Sequence, residues 1–333
     1  MKIATLTLNP CIDKTLYFGG AFKVDALNRA AYAMTNAGGK GINVARIYRR
    51  LGIRAAAYGF SGGSTGQGPG GAVGQMLCSL LAEEDITPVF TPTSCDTRMC
   101  IKLIDADGVC TEANEAGGPI LETEYAALKK QLAAFADECS RDGEDGILFA
   151  GGSVPAGLDR GIYREIISMF RGSHVRFILD ADGEALKTGL EGSPWLIKPN
   201  IHELSALIGY EITGRDAKEK AIAAAKASRR ILAQYGSNVL CTLGGDGAVY
   251  TGEDGVYYVN APHVTMKGFT GAGDTFLASF MFAYEKNGHD AETALCFASS
   301  AAAAKVELAG TQMPDKNGMM RFLSHVHAEK LDI

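Results

Sequence analysis

Short apolar segments alternate with longer segments of helical periodicity along most of the chain. The apolar segments are dense in Val, Ile, Leu and Phe and lack strict alternation, which is typical of parallel strands buried on both faces. This alternation predicts an α/β fold with a doubly wound, mostly parallel central sheet flanked by helices. Strands are predicted at 3–8, 55–60, 147–150, 175–179, 195–198 and 239–243. The clearest helices are predicted at 41–51, 122–139, 217–235 and 291–308.

Two segments depart from this alternation. Residues 14–35 contain two short β-type runs joined by a Gly-Gly turn, and residues 99–114 are typical of a hairpin with an Asp-Gly turn. We expect them to form a small second β-sheet, a lid over the carboxyl ends of the main strands. The glycine-rich residues 61–71 are typical of a flexible loop. Because no low-complexity linker divides the chain, one domain is expected over residues 1–333.

Composition and charge argue against several classes of protein. Of the 333 residues, 47% are hydrophobic and 21% charged, and the net charge is −6 with a pI near 5.6. This acidic balance argues against nucleic-acid binding, which favours a basic face. The eight cysteines form no CxxC pair, which argues against a zinc cluster and favours reduced thiols. The N-terminus does not resemble a signal peptide and no apolar run reaches about 18 residues, so a cytoplasmic protein without membrane contact is expected.

The segment "KGFTGAGDTF", residues 267–276, combines a phosphate-binding pattern with a carboxylate. Gly271, Ala272 and Gly273 form a glycine-rich turn that opens a helix, where unpaired N–H groups and the helix dipole favour an anion. Asp274 lies in the same turn. One interpretation is the ordinary preference of Asp for the first turn of a helix. The other is a catalytic carboxylate next to a phosphate.

The segment "NAGGKGINVAR", residues 36–46, also opens a helix behind glycines. Gly38 and Gly39 allow a ligand to approach the backbone closely, and Lys40 adds a positive charge. The GxxxxGK[ST] spacing of a Walker loop is absent. Taken alone, the segment fits a binding loop and an ordinary turn equally well.

Two further segments have simple structural interpretations. "TLGGDGAVY", residues 242–250, is typical of a tight turn between two strands. In "LIKPNIHEL", residues 196–204, Asn200 and Glu203 have the spacing of a helix capping box, which accounts for them without any catalytic role.

Seven motifs, taken together, resemble those of one family. "LNPCID", "AGGKGIN", "TRMCIKL", "TEANEAGGP", "KPNIHEL", "TLGGDG" and "GAGDTF" occur in this order from about residue 3 to about residue 312. The chain therefore resembles the ribokinase-like sugar kinases, specifically the phosphofructokinase B branch that holds 1-phosphofructokinases and tagatose-6-phosphate kinases. Each motif alone is weak, whereas the collinear set is specific.

The resemblance implies ATP as co-substrate and Mg²⁺ as cofactor. It implies that Asp274 is the general base for the sugar hydroxyl and that the turn from Gly271 to Gly273 is the anion hole. Asn200 and Glu203 match the motif that organises the metal through water. The residues implied along the nucleotide are Lys198, Thr242, Leu243, Gly244, Gly245, Asp246 and Gly247.

For the acceptor, the resemblance implies a phosphorylated sugar. The residues implied in sugar binding are Asp13, Gly38, Gly39, Lys40 and Asn43, and Arg98 and Lys102 are expected to hold the phosphate. Fructose 1-phosphate is the leading acceptor and tagatose 6-phosphate the alternative, since Cys100 falls where tagatose-6-phosphate kinases can have Cys. A 6-phosphofructokinase and a non-catalytic sugar-phosphate binding protein are further alternatives. A homodimer through the lid is expected.

Overall fold

The structure, a computed structural model, describes residues 1–63, 71–268 and 270–333. Most of the loop predicted at 61–71 therefore lies outside the described residues, as does Phe269. The α-helices in the described ranges are α1 Lys40–Arg50, α2 Ala72–Glu83, α3 Glu122–Asp142, α4 Ile162–Met169, α5 Gly183–Leu190, α6 Ile201–Ile208, α7 Ala217–Tyr235, α8 Ala272–Lys286, α9 Ala291–Val306 and α10 Lys316–Met320. The strands are β1 Lys2–Thr7, β2 Cys11–Tyr17, β3 Tyr32–Gly38, β4 Ala55–Gly62, β5 Pro88–Thr93, β6 Arg98–Ile104, β7 Cys110–Asn114, β8 Gly146–Gly151, β9 Val175–Asp180, β10 Leu196–Ile197, β11 Asn238–Thr242, β12 Ala248–Gly252, β13 Gly255–Val259 and β14 Ala328–Lys330.

The main sheet has ten strands in the order β14-β13-β12-β11-β10-β9-β8-β1-β4-β5. All neighbours from β11 to β5 are parallel, whereas β12, β13 and β14 add to the β11 edge in antiparallel pairs. The predicted α/β fold with a mostly parallel sheet is thus confirmed. Parallel strands place their carboxyl ends at one edge of the sheet, where ligands bind in open α/β folds.

Helices cover both faces of this sheet. On one face α1, α8 and α9 bury apolar residues such as Ile47, Phe280 and Leu295. On the other face α3, α4, α5 and α7 do the same, with Leu132 and Ile231 among the buried residues. The sheet is therefore doubly wound. None of the helices in the described ranges is long and apolar enough to cross a membrane.

A second, smaller sheet has four strands in the order β3-β2-β6-β7. The predicted separate sheet is present, but its first hairpin is not closed by a Gly-Gly turn. β2 ends at Tyr17 and β3 begins at Tyr32, so residues 18–31 form a long connection. β2 begins at Cys11 and β6 at Arg98, before the expected residues 14 and 99, and the first three residues of β2 are buried.

Candidate active site

A buried carboxylate, Asp180, joins two lysines at the carboxyl edge of the main sheet. It is the last residue of β9, and its side chain is 5% exposed. Lys40 Nζ lies 2.6 Å from one of its oxygens and Lys198 Nζ lies 3.1 Å from the other. Burial opposes ionisation, but the two lysines hold the pKa of Asp180 below its ordinary value. These two ion pairs hold both lysines at the carboxyl edge of the main sheet.

Sequence reasoning missed Asp180. A signal was present, since an Asp closes the apolar run "VRFILD", and a charged residue at the carboxyl end of a buried parallel strand is well placed for a ligand site. Its partners could not be inferred, because Lys40 and Asp180 are 140 residues apart in the chain.

Asp274 lies in the first turn of α8 and is almost completely buried, with 7% exposure. Asn43 on α1 donates a hydrogen bond from Nδ2 to Asp274 Oδ2 over 2.7 Å. Burial and the nearby Asp180 raise the pKa of Asp274 to about 6, although Lys40, Asn43 and Lys198 act in the opposite direction. A carboxyl group with this pKa is ionised near neutral pH and can accept a proton.

The turn before Asp274 has the shape of an anion site. Gly271 has a left-handed φ of 82°, and no side chain of the described residues caps the helix that follows. The first N–H groups of α8 therefore keep no intrahelical partner. At Gly273 an added Cβ would lie 3.2 Å from Lys198 Nζ. The turn thus combines backbone donors with a nearby ammonium group, which suits a phosphate.

Lys305 places a further positive charge close to this turn. Sequence reasoning did not identify this residue either. It is completely buried on α9, and its Nζ donates to the carbonyl of Gly310 over 3.0 Å. Its Cε would lie 3.6 Å from a Cβ added at Gly271. Burial, together with Arg46 and Lys102, lowers the pKa of Lys305 to about 8. The only sequence signal was a single Lys in an alanine-rich helical run.

Several of the predicted sugar residues lie close together around β2 and the loop before α1. Asp13 on β2 is buried, and Lys102 Nζ on β6 lies 3.4 Å from its Oδ1. An added Cβ at Gly38 would lie 2.6 Å from Asp13 Oδ2, so only glycine fits there. At Gly39, φ is 128°, and an added Cβ would lie 2.6 Å from the side chain of Thr7. The loop before α1 is therefore packed directly against β1 and β2.

The two residues expected to hold the sugar phosphate, Lys102 and Arg98, are buried and partly buried, respectively. Lys102 is 5% exposed, and its contact in this structure is the carboxylate of Asp13. Arg98 donates from Nε to the carbonyl of Asn9 over 3.2 Å and from Nη1 to the carbonyl of Glu115 over 3.1 Å. Its Nη2 takes part in neither bond, so one edge of the guanidinium remains for an anion.

A cavity of ≈ 490 Å³ is lined by residues of the glycine turn and of α9. Four of the predicted nucleotide residues line it: Thr242, Gly244, Gly245 and Gly247. Sequence reasoning missed its apolar wall, which includes Val264, Phe276 and Val306. An apolar cleft that ends at a phosphate-binding turn fits a nucleotide, whose base is apolar and whose other end is anionic.

Two of the predicted nucleotide residues are placed differently. Leu243 is 5% exposed and packs in the hydrophobic core. Asp246 forms an ion pair with Lys220 and lines a neighbouring cavity of ≈ 660 Å³. Residues 244–246 form a 3₁₀ turn directly after Leu243, and Asp246 is the one residue of this turn that carries a side chain.

Asn200 and Glu203 form the capping box that their spacing suggested. Asn200 Oδ1 accepts hydrogen bonds from the N–H groups of His202 and Glu203, and Glu203 Oε2 accepts from the N–H of Asn200. Oε1 of Glu203 takes no part in the box. The charge of Glu203 also acts on Lys40, which places this carboxylate near the lysine pair.

Comparison with known proteins shows the family of this chain. Residues 6–317 match the pfkB family carbohydrate kinases. The chain is 33% identical over 284 residues to 1-phosphofructokinase of Bacillus subtilis (strain 168), covering 85% of this chain and 86% of that protein. It is 31% identical over 278 residues to tagatose-6-phosphate kinase of Staphylococcus epidermidis, covering 83% of each. The crystal structure of phosphofructokinase-2 from Escherichia coli in complex with substrates and products superposes with a TM-score of 0.84 at 28% identity, covering 98% of this chain and 99% of that one.

The fold and the site thus define a carbohydrate kinase, a phosphotransferase that acts on an alcohol group. The chain belongs to the pfkB family. Membership of a kinase family implies ATP as the co-substrate and a sugar as the acceptor.

Proposed function

We propose that this protein is an ATP-dependent 1-phosphofructokinase, which converts fructose 1-phosphate to fructose 1,6-bisphosphate. The observation that carries the proposal is the buried Asp274, hydrogen-bonded to Asn43 and set in an uncapped glycine turn. This arrangement places a proton acceptor next to donors for a phosphoryl group. The likeness to the Bacillus subtilis enzyme supports the choice of sugar.

In the proposed reaction Asp274 accepts the proton of the C6 hydroxyl as that oxygen attacks the γ-phosphorus of ATP. The N–H groups of the Gly271–Gly273 turn stabilise the charge that develops on the transferring phosphoryl oxygens. Lys198 and Lys40 add positive charge on the same side. Because these groups are already positioned by α8 and by the ion pairs with Asp180, little reorganisation is needed at the moment of transfer.

Mg²⁺ fits the donor set as a cofactor. The Oε1 atom of Glu203 is not used in the capping box, and Mg²⁺ takes oxygen ligands from one or two carboxylates, phosphates and water. We propose that Glu203, positioned by Asn200, holds the metal through water. When bound, the metal would neutralise charge on the phosphates of ATP.

On the sugar side, we propose that Asp13 and Asn43 bind hydroxyl groups and that Gly38 and Gly39 shape the loop around them. Asn43 Oδ1 is buried without a hydrogen-bond partner among the described residues, so it is available to accept a hydroxyl. A buried acceptor of this kind discriminates strongly against a sugar that cannot satisfy it.

The second candidate is tagatose-6-phosphate kinase, which the Staphylococcus epidermidis relative and Cys100 favour. The decisive measurement is kcat/KM for fructose 1-phosphate, tagatose 6-phosphate and fructose 6-phosphate with ATP and Mg²⁺. We expect fructose 1-phosphate to have the highest value and tagatose 6-phosphate a measurable one. A clear preference for tagatose 6-phosphate would replace the proposed activity by the second candidate, and turnover of none of the three would favour a binding protein.

Arg98 tests whether the acceptor carries a phosphate. We expect Arg98→Ala to raise the KM for the phosphosugar far more than the KM for ATP, by at least about tenfold, because truncating a buried charge contact costs about 2 kcal/mol or more. Initial rates with each substrate varied in turn measure this. Since Arg98 also bonds two backbone carbonyls, thermal unfolding of the variant is the control, and equal changes in both KM values would identify Arg98 as structural.

We further propose that residues 1–333 form one domain that acts in the cytoplasm as a homodimer through the small sheet. Several exposed apolar side chains lie on its 18–31 connection and in the turn between β6 and β7. Val24 is 88% exposed, Leu27 77% and Val109 60%. Such side chains are typical of a surface that is covered in the assembly. Analytical ultracentrifugation should give a dimer, and a monomer at micromolar concentration would contradict this.

A further inference from the structure

A cluster of three side chains that can bind a metal lies in the small sheet, beside the residues proposed to hold the sugar phosphate. Cys11 and Asp13 are on β2 and Cys100 is on β6. Their ligand atoms, the two sulfurs and a carboxylate oxygen, all lie within 4.8 Å of one another. The three residues are 4%, 6% and 6% exposed, respectively. A buried cluster of this kind was not expected, because the absence of CxxC pairs argued against a zinc site.

Strand register brings these side chains together. Residues two apart on a strand face the same side, so Cys11 and Asp13 share a face of β2. β6 runs parallel to β2 with Cys100 beside Asp13. Gly38 on β3 leaves the space free, since an added Cβ there would lie 2.7 Å from Cys11 Sγ. Ligands that come from two paired strands are held rigidly, as a metal site requires.

The register favours metal binding over a disulfide bond. Cys11 and Cys100 are displaced by two residues on neighbouring strands. With strands about 4.8 Å apart and an offset of about 6.6 Å, their Cα atoms are about 8 Å apart. A disulfide requires Cα atoms closer than about 7 Å, so it would need backbone movement. A metal ion instead bridges two sulfurs without a bond between them, each about 2.3 Å from the metal.

We propose that Cys11, Asp13 and Cys100 bind a thiophilic divalent cation such as Zn²⁺ or Cd²⁺ and that this binding inhibits the kinase. Binding would release the thiol protons to solvent and would form two metal–thiolate bonds and one metal–carboxylate bond. Three protein ligands leave one position of a tetrahedral ion for water. Asp13 would then exchange its contact with Lys102 for the metal and could no longer bind a sugar hydroxyl, a consequence that rests on the function proposed above.

The direct test uses Cd²⁺, whose bonds to thiolates give an ultraviolet charge-transfer band that does not depend on catalysis. We expect one Cd²⁺ per chain with this band in wild-type protein, and loss of the band together with at least about tenfold weaker binding in Cys100→Ser and in Cys11→Ser. Cys110→Ser is the matched control, because Cys110 is a half-buried thiol on the neighbouring strand β7, outside the cluster. An unchanged band in both cluster variants would overturn the site.

Inhibition is measured separately, with Zn²⁺ held at fixed free concentrations by a metal buffer and Mg²⁺–ATP in excess. We expect Zn²⁺ to compete with the phosphosugar and not with ATP, and to inhibit Cys100→Ser at least about tenfold more weakly than wild type. Competition with ATP alone would overturn the proposed inhibition through Asp13. If Cd²⁺ binds at the cluster but none of the tested sugars is turned over, the proposed function fails and the metal site stands.

Discussion

Asp274→Asn should lower kcat by at least about 10²-fold, the usual contribution of a positioned general base. The amide has the same shape as the carboxylate, and its oxygen can still accept the hydrogen bond from Asn43. The variant therefore keeps the local structure but has no group that can take the proton of the sugar hydroxyl. Steady-state kinetics give kcat, and calorimetric titration with ATP shows whether the nucleotide site is intact.

The matched control is Asp290→Asn. Asp290 occupies a similar position, as the N-cap of α9, but is exposed and is not one of the proposed active-site residues. We expect its kcat to remain within about twofold of wild type, as is usual for surface substitutions of this kind. If Asp274→Asn also retained near-normal turnover, another group would have to be the base.

Asp180→Asn should have the second large effect. We expect it to lower the free energy of unfolding and to change the pH dependence of kcat/KM. It removes the carboxylate that the buried Lys198 and the partly exposed Lys40 both contact, and removing one partner of a buried ion pair costs about 3–5 kcal/mol. Because the Lys40 side chain is 31% exposed, we expect the lower end, about 3 kcal/mol, in the free energy of unfolding. Urea denaturation measures it.

The second readout is the acid limb of kcat/KM. With the pKa of Asp274 at about 6, the base form is lost as the pH falls through 6, so the wild-type rate should fall about tenfold per unit below that value. Asp180 is one cause of the raised pKa, so its neutralisation should move the limb to lower pH. Asp182→Asn, which changes an exposed Asp two residues further on, should leave both readouts unchanged. An unshifted limb in Asp180→Asn would contradict the coupling.

The sequence predicted the elements closely, because each depends on local periodicity. The helix predicted at 217–235 has those bounds as α7, and the strand predicted at 239–243 is shifted by one residue in β11. The glycine turn and Asp274 were also found, since they lie within one short motif. Elements with a weaker local pattern, such as α2 and the antiparallel edge strands β13 and β14, were not predicted.

The contacts that tune the site could not be predicted in the same way. Asp180, Lys305 and the ion pair between Lys102 and Asp13 depend on which side chains meet across sheets and helices. Asn43 and Asp274 are 231 residues apart, and no local pattern relates them. The same limit applies to Asn200 and Glu203, for which a capping box and a metal role have the same spacing.

The glycine at position 38 also constrains how this site can change in evolution. Any other residue there would place its Cβ 2.6 Å from Asp13 Oδ2 and 2.7 Å from Cys11 Sγ. Replacing Cys11 by a smaller residue would remove only one of the two overlaps, because the other is with the proposed sugar-binding carboxylate. A change at Gly38 therefore requires the side chains of both Cys11 and Asp13 to shift or to be replaced. We expect this position and the start of β2 to diverge together, along with the acceptor that they are proposed to hold.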